Sequence, residues 1–140
     1  MADEEGLYKE IERGKVLVIE VEADSRNALL ARATTALSRI MVQPDNVKTA
    51  DRQEIEIVDD TDVEMMHDML GAALNVFRSG FIWRDVEFEE RGGAVVVWLS
   101  GEQYNPDRHP LPTEIKGVQE HQLAVENKDG KWRTRITFNI

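Results

Sequence analysis

Residues 113–140 read TEIKGVQEHQLAVENKDGKWRTRITFNI. The final stretch alternates strictly. Trp132, Thr134, Ile136, Phe138 and Ile140 fall on one side, and Arg133, Arg135, Thr137 and Asn139 on the other. A period of two with one apolar face marks a strand half buried against a core. Asn127, Lys128, Asp129 and Gly130 stand just before it, and Asp-Gly suits the left-handed backbone of a tight hairpin turn. The stretch therefore predicts an antiparallel hairpin of 113–126 with 132–140. Lys116 lies on its first strand between Glu114 and Glu120, and His121 shares a strand face with Ile115, Leu123 and Val125.

The same alternation recurs upstream. In KVLVIEVE (15–22), Leu17, Ile19 and Val21 point one way, and Val16, Val18, Glu20 and Glu22 the other. QEIEIV (53–58) alternates again, and residues 81–89 and 94–99 read as a hairpin around Gly92-Gly93. Two segments between these strands have helical spacing instead. Leu30, Ala33, Leu37 and Ile40 recur up to Met41, with Asp24 or Ser25 able to cap the start and Pro44 beyond the end. Met66, Met69, Leu70, Ala73 and Phe77 recur up to Gly80, behind a Thr61–Glu64 capping box. NPDRHPLP (105–112) is a proline-rich loop, and residues 1–7 read as a loose tail. The expected fold is α+β in two layers: a largely antiparallel sheet of about six strands with two helices packed on one face.

Composition narrows the function. With 140 residues, 41% hydrophobic and 31% charged, the chain has the balance of one globular domain spanning 1–140. Its 27 acids against 17 bases give a net charge of −10, the opposite of the basic footprint that direct nucleic-acid binding requires. A basic protein surface suits it better. There is no cysteine, which removes disulfides, thiolate metal sites and thiol catalysis. No signal segment or run of 18 apolar residues is present, so no membrane partner is expected and a cytoplasmic location is.

Individual residues give no active site. Asp59, Asp60 and Asp62 could hold a hard cation, but they precede a helix whose positive end already suits acids. His67, His109 and His121 are not at metal-ligand spacing. No phosphate loop, dinucleotide fingerprint or nucleophile elbow occurs. Met65, Met66 and Met69 read as core, and Trp83, Trp98 and Trp132 as core or interface residues, with base stacking the weaker alternative.

The C-terminal third carries a family pattern: G-E-x-x-x-P-x-R-H at 101–109, T-E-x-K-x-V-x-x-H at 113–121, D-G-x-W at 129–132, and the terminal apolar strand. In this register the chain resembles the archease family, with weaker similarity extending the match to about 130 residues, the capped second helix and Gly80 included. The resemblance implies a non-enzymatic protein cofactor or chaperone. Its partner would be the tRNA-splicing RNA ligase, which joins a 3′-phosphate or cyclic phosphate to a 5′-hydroxyl, or another RNA-processing enzyme. It also implies a functional lysine in T-E-x-K and a calcium site with two aspartates, one in H-T-A-D on the first strand and one just before the chain's last residue.

Carried over by position, the lysine is Lys116, within the motif residues Thr113, Glu114 and His121. The aspartates are not kept. H-T-A-D aligns with Arg13, Gly14, Lys15 and Val16, so the metal positions are Val16 and Asn139, beside the terminal Ile140. Calcium prefers several charged oxygens; a valine and an amide imply a lost or weakened site, and no cofactor is expected. The expected function is ligase activation. The alternative is a divergent archease-fold protein acting as a metal-independent interaction module, suggested by the apolar Val16 and Val18 on an otherwise polar face.

Overall fold

A computed structural model describes residues 6–111 and 113–140. Strand β1 (Lys9–Arg13) turns into β2 (Val16–Ala23), whose Leu17, Ile19 and Val21 are buried as their alternation predicts. Ser25 then caps helix α1 (Arg26–Met41), its side chain accepting from the Ala28 amide at 3.1 Å. The helix is buried on more than one side, so its polar groups need internal partners. Thr34 donates to Leu30 O at 2.8 Å, Ser38 to Trp83 O, and the Trp83 indole to Thr34 O at 3.2 Å.

Strand β3 (Asp51–Ile57) leads to α2 (Asp62–Arg78), which begins at the expected box: Thr61 accepts from the Glu64 amide at 3.1 Å. Gly80, at φ 103°, follows its end. Strands β4 (Phe81–Arg91) and β5 (Ala94–Gln103) form the expected hairpin, and β6 (Gly117–Val118), β7 (Ala124–Lys128) and β8 (Lys131–Asn139) complete the chain.

The α+β class holds, with two helices and antiparallel strands. The strands, however, number eight among the described residues and divide between two sheets, where the sequence suggested one sheet of about six. The first sheet runs β1-β2-β8-β6, with β7 also on β8; the second runs β3-β5-β4. Helix α1 packs on β2 and β8 of the first sheet and β4 of the second, while α2 touches β3, β4, β6 and β7. The helices thus serve both sheets rather than one face of a single sheet. Strand β1 is hard to read in sequence because KEIER carries one aliphatic residue among charges, the composition of a protected sheet edge.

The expected continuous strand 113–126 is also corrected. Only Gly117–Val118 and Ala124–Lys128 pair with β8. Five residues lie between Val118 and Ala124, whereas two lie between their partners Phe138 and Arg135. The excess chain leaves the ladder as a turn, closed by the Leu123 amide on Glu120 O at 3.2 Å and anchored by buried Leu123. The next turn falls within the expected 127–130 but is tighter: Asn127 and Lys128 pair with Trp132 and Lys131, and Asp129 and Gly130, at φ of 56° and 79°, make the turn. Within the span read as a tail, Leu7 packs against the core and Gly6 O accepts from Arg32 at 2.8 Å; residues 1–5 lie outside the described residues. No helix among the described residues is long and apolar enough to cross a membrane.

Candidate functional site

Three strands bring the family positions into one row. Val16, the first residue of β2, pairs with Asn139 on β8, and Asn139 pairs on its other side with Gly117 of β6. The adjacent Leu17 and Phe138 are fully buried. That fixes the register, because a slip of one residue would turn the whole apolar set outward. Val16 and Asn139 therefore share the face opposite the core. Asn139 Oδ1 accepts from Gln119 Nε2 at 2.8 Å.

Lys116 sits immediately before β6 and is exposed. Its backbone is held twice: its amide donates to Asn139 O at 2.7 Å, and its carbonyl accepts from Arg78 Nη2 at 2.6 Å. An ordinary strand lysine would pair with Glu114 or Glu120, yet Lys116 has no ion pair among the described residues. Buried Ile115 anchors the segment, and Thr113 accepts from Arg13 Nη1 at 3.3 Å, linking the T-E-x-K stretch to the β1–β2 turn. Glu114 is exposed. Sequence reading did not find Arg78, whose one signal is a basic residue in the last turn of α2.

His121 is not on a strand face with Ile115, Leu123 and Val125. It is exposed in the turn that leaves the ladder. Lys116 and His121 thus belong to different segments and form no paired site. His67 is half-buried on α2, its Nδ1 3.6 Å from Asp68.

His109 is the histidine with a defined environment. It is fully buried; Nδ1 accepts from the Asn105 amide at 2.8 Å, and Nε2 lies 3.0 Å from Glu102 Oε2. The same oxygen accepts from Arg108 at 2.5 Å and from the Lys48 amide at 2.8 Å. Burial alone would raise the Glu102 pKa. The Lys48 amide, His109 and Arg108 outweigh it and hold the carboxyl at about 2. Gly101, just before it, sits against the Ile82 carbonyl so closely that a Cβ would come within 1.8 Å. The G-E-x-x-x-P-x-R-H pattern is therefore a clamp joining the 105–109 loop to Lys48, which residues separated along the chain did not reveal.

The remaining candidates resolve structurally. Asp62 lies in the first turn of α2, 3.5 Å from Arg26. No cluster of three His, Asp or Glu able to hold a metal occurs among the described residues. Met65, Met66, Met69 and Trp83 are core, and Trp132 packs partly against it. The Trp98 ring is covered by the Arg52 guanidinium at 4.1 Å, so it is no free stacking platform. A calcium ion at the family positions would meet a valine without oxygen and an amide already hydrogen-bonded to Gln119. This donor set does not fit.

The sequence matches the profile of the Archease protein family (MTH1598/TM1083) over residues 8–140. It is 36% identical over 140 residues to protein archease of Methanopyrus kandleri, covering 95% of this chain and 99% of that one. Against protein archease of Methanosarcina mazei it is 25% identical, over 77% and 78% of the two chains. The fold superimposes on the solution structure of Methanobacterium thermoautotrophicum protein 1598 with a TM-score of 0.76, at 16% identity over 95% and 98% of the chains. It superimposes on a Thermotoga maritima crystal structure, described as an archease and possible chaperone, with a TM-score of 0.69, at 17% identity over 93% and 94%.

Proposed function

The chain belongs to the archease family, and from that premise we propose that it is a non-catalytic accessory protein that activates a tRNA-splicing RNA ligase, without a tight calcium site of its own. The observation that carries this reading is Lys116. Its backbone is fixed from both sides while its ammonium has no carboxylate partner among the described residues. A positioned, unpaired cation at a surface is suited to a phosphate or carboxylate of a partner's nucleotide site. The acidic surface of the chain favours a basic partner protein over direct contact with RNA.

Val16 supports a second reading, an interaction module acting without metal on some other partner. One experiment separates the two. Ligation of a 3′-phosphate or cyclic phosphate end to a 5′-hydroxyl is followed at multiple turnover, with and without the chain at stoichiometric amounts. Stimulation that persists in chelator supports the proposal. A ligase that binds the chain but is not stimulated leaves the module reading.

A further inference from the structure

Most arginines of this acidic chain stand beside carboxylates, as Arg13, Arg91, Arg108 and Arg133 do. Arg78 and Lys116 differ. They line one groove of about 460 Å³ between α2 and β6, and neither has a carboxylate partner among the described residues. The hydrogen bond from Arg78 Nη2 to Lys116 O holds the guanidinium against the lysine's own backbone. The acid of the groove, Asp68, is beside His67.

The walls are unusually bare. Gly71 and Ala72 face the groove from α2 and Gly117 from β6, and a Cβ at Gly71 would meet nothing within 4 Å. Leu74 and Val118 add apolar lining. A guanidinium fork beside a lysine point charge is the donor set that phosphate oxygens select.

We propose that this groove binds a mononucleotide, its phosphomonoester held between Arg78 and Lys116 and its nucleoside lying over Gly71 and Ala72. The proposal goes beyond ligase activation, because it concerns the isolated chain. Full-length protein labelled with nitrogen-15 is titrated at low salt with adenosine 5′-monophosphate, inorganic phosphate and adenosine. The nucleotide and phosphate should shift the amides of Gly71, Lys116 and Gly117, the nucleotide binding more tightly, and adenosine should leave them in place. K116Q and R78Q should each weaken nucleotide binding about tenfold or more, the loss of one charge-assisted contact. Because R78Q also removes the tie to Lys116, amide shifts far from the groove check that each variant is folded, and R78K, which keeps the charge without the fork, should bind more tightly than R78Q and less tightly than the parent. K128Q, on the distant hairpin, should change nothing.

Equal shifts with adenosine and its monophosphate, unchanged affinity in K116Q and R78Q, or no shifts up to about 10 mM ligand would each overturn the proposal. A chain that stimulates the ligase but binds no phosphate loses this inference alone. One that binds the nucleotide but does not stimulate loses the proposed function alone.

Discussion

Val16 and Asn139 face each other across β2 and β8, although 122 positions lie between them in the sequence. Residues so paired have their Cβ atoms about 5 Å apart on the same face. These are the positions at which the archease resemblance places two metal-binding aspartates. The scaffold still brings them together, held by fully buried Leu17 and Phe138 next to them. The side chains that meet there are an aliphatic group and a neutral amide.

The double variant V16D/N139D should therefore acquire calcium binding. Calorimetry on the parent chain should show no site tighter than about millimolar, the weak end of protein calcium sites, and the variant should improve on it by about tenfold or more. V16D alone should gain less, since Asn139 then offers one neutral oxygen that Gln119 already occupies. A micromolar site in the parent chain would show that other oxygens complete the shell.

Lys116→Ala should separate function from folding. The two hydrogen bonds at Lys116 use backbone atoms, which alanine retains. Its ammonium has no ion pair among the described residues to lose. Thermal stability should stay within about 0.5 kcal/mol of the parent, while ligase stimulation falls by about tenfold or more. The measurement is a melting curve set beside multiple-turnover ligation. Equal stimulation by the variant would remove Lys116 from the mechanism.

Much of this structure is legible where periodicity reports burial directly. Both helices, the caps at Ser25 and Thr61, the β4–β5 hairpin and the Asp129–Gly130 turn follow from local chemistry. The errors share a different cause. Strand β1 has no apolar alternation because it is a charged edge. The break at 119–123 shows only when β6 and β7 are registered on β8, a long-range fact. That break carries His121 out of the sheet. The Glu102–Arg108–His109 clamp and the Arg78–Lys116 tie are likewise contacts between separated segments. The family pattern marked Lys116; periodicity alone left it an ordinary strand lysine.

Glu102 should give the chain a specific acid sensitivity. Its folded pKa, about 2, lies below its ordinary value of 4.5. A depressed carboxylate contributes stability above its unfolded pKa and loses it as pH falls through the folded one. The contribution is therefore present at pH 7 and declines between about 4.5 and 2. E102Q keeps an acceptor for the Lys48 amide but removes the charge facing Arg108. Urea melts at stepped pH should find it less stable than the parent near neutrality, and the two curves should converge toward pH 2. A constant gap down to that pH would mean that the clamp acts through shape and not charge.

The glycine beside this clamp sets a steric limit on it. A methyl group at Gly101 would lie 1.8 Å from Ile82 O and 2.5 Å from Trp83 Cα, both backbone atoms that no rotamer change can move. Accommodating it requires β4 and β5 to separate near the Trp83–Asp85 irregularity in their register. Trp83 is also bound through its carbonyl to Ser38 and through its indole to Thr34 O, so the displacement would reach α1. Gly101→Ala should cost about 3 kcal/mol, the upper end of ordinary overpacking. Gly93→Ala, where a Cβ meets nothing within 4 Å, should change stability by less than about 0.5 kcal/mol. Denaturant melts of both variants check the pair. Indole fluorescence adds a signature, because a G101A chain that folds must shift buried Trp83, whereas a G93A chain leaves it where it is.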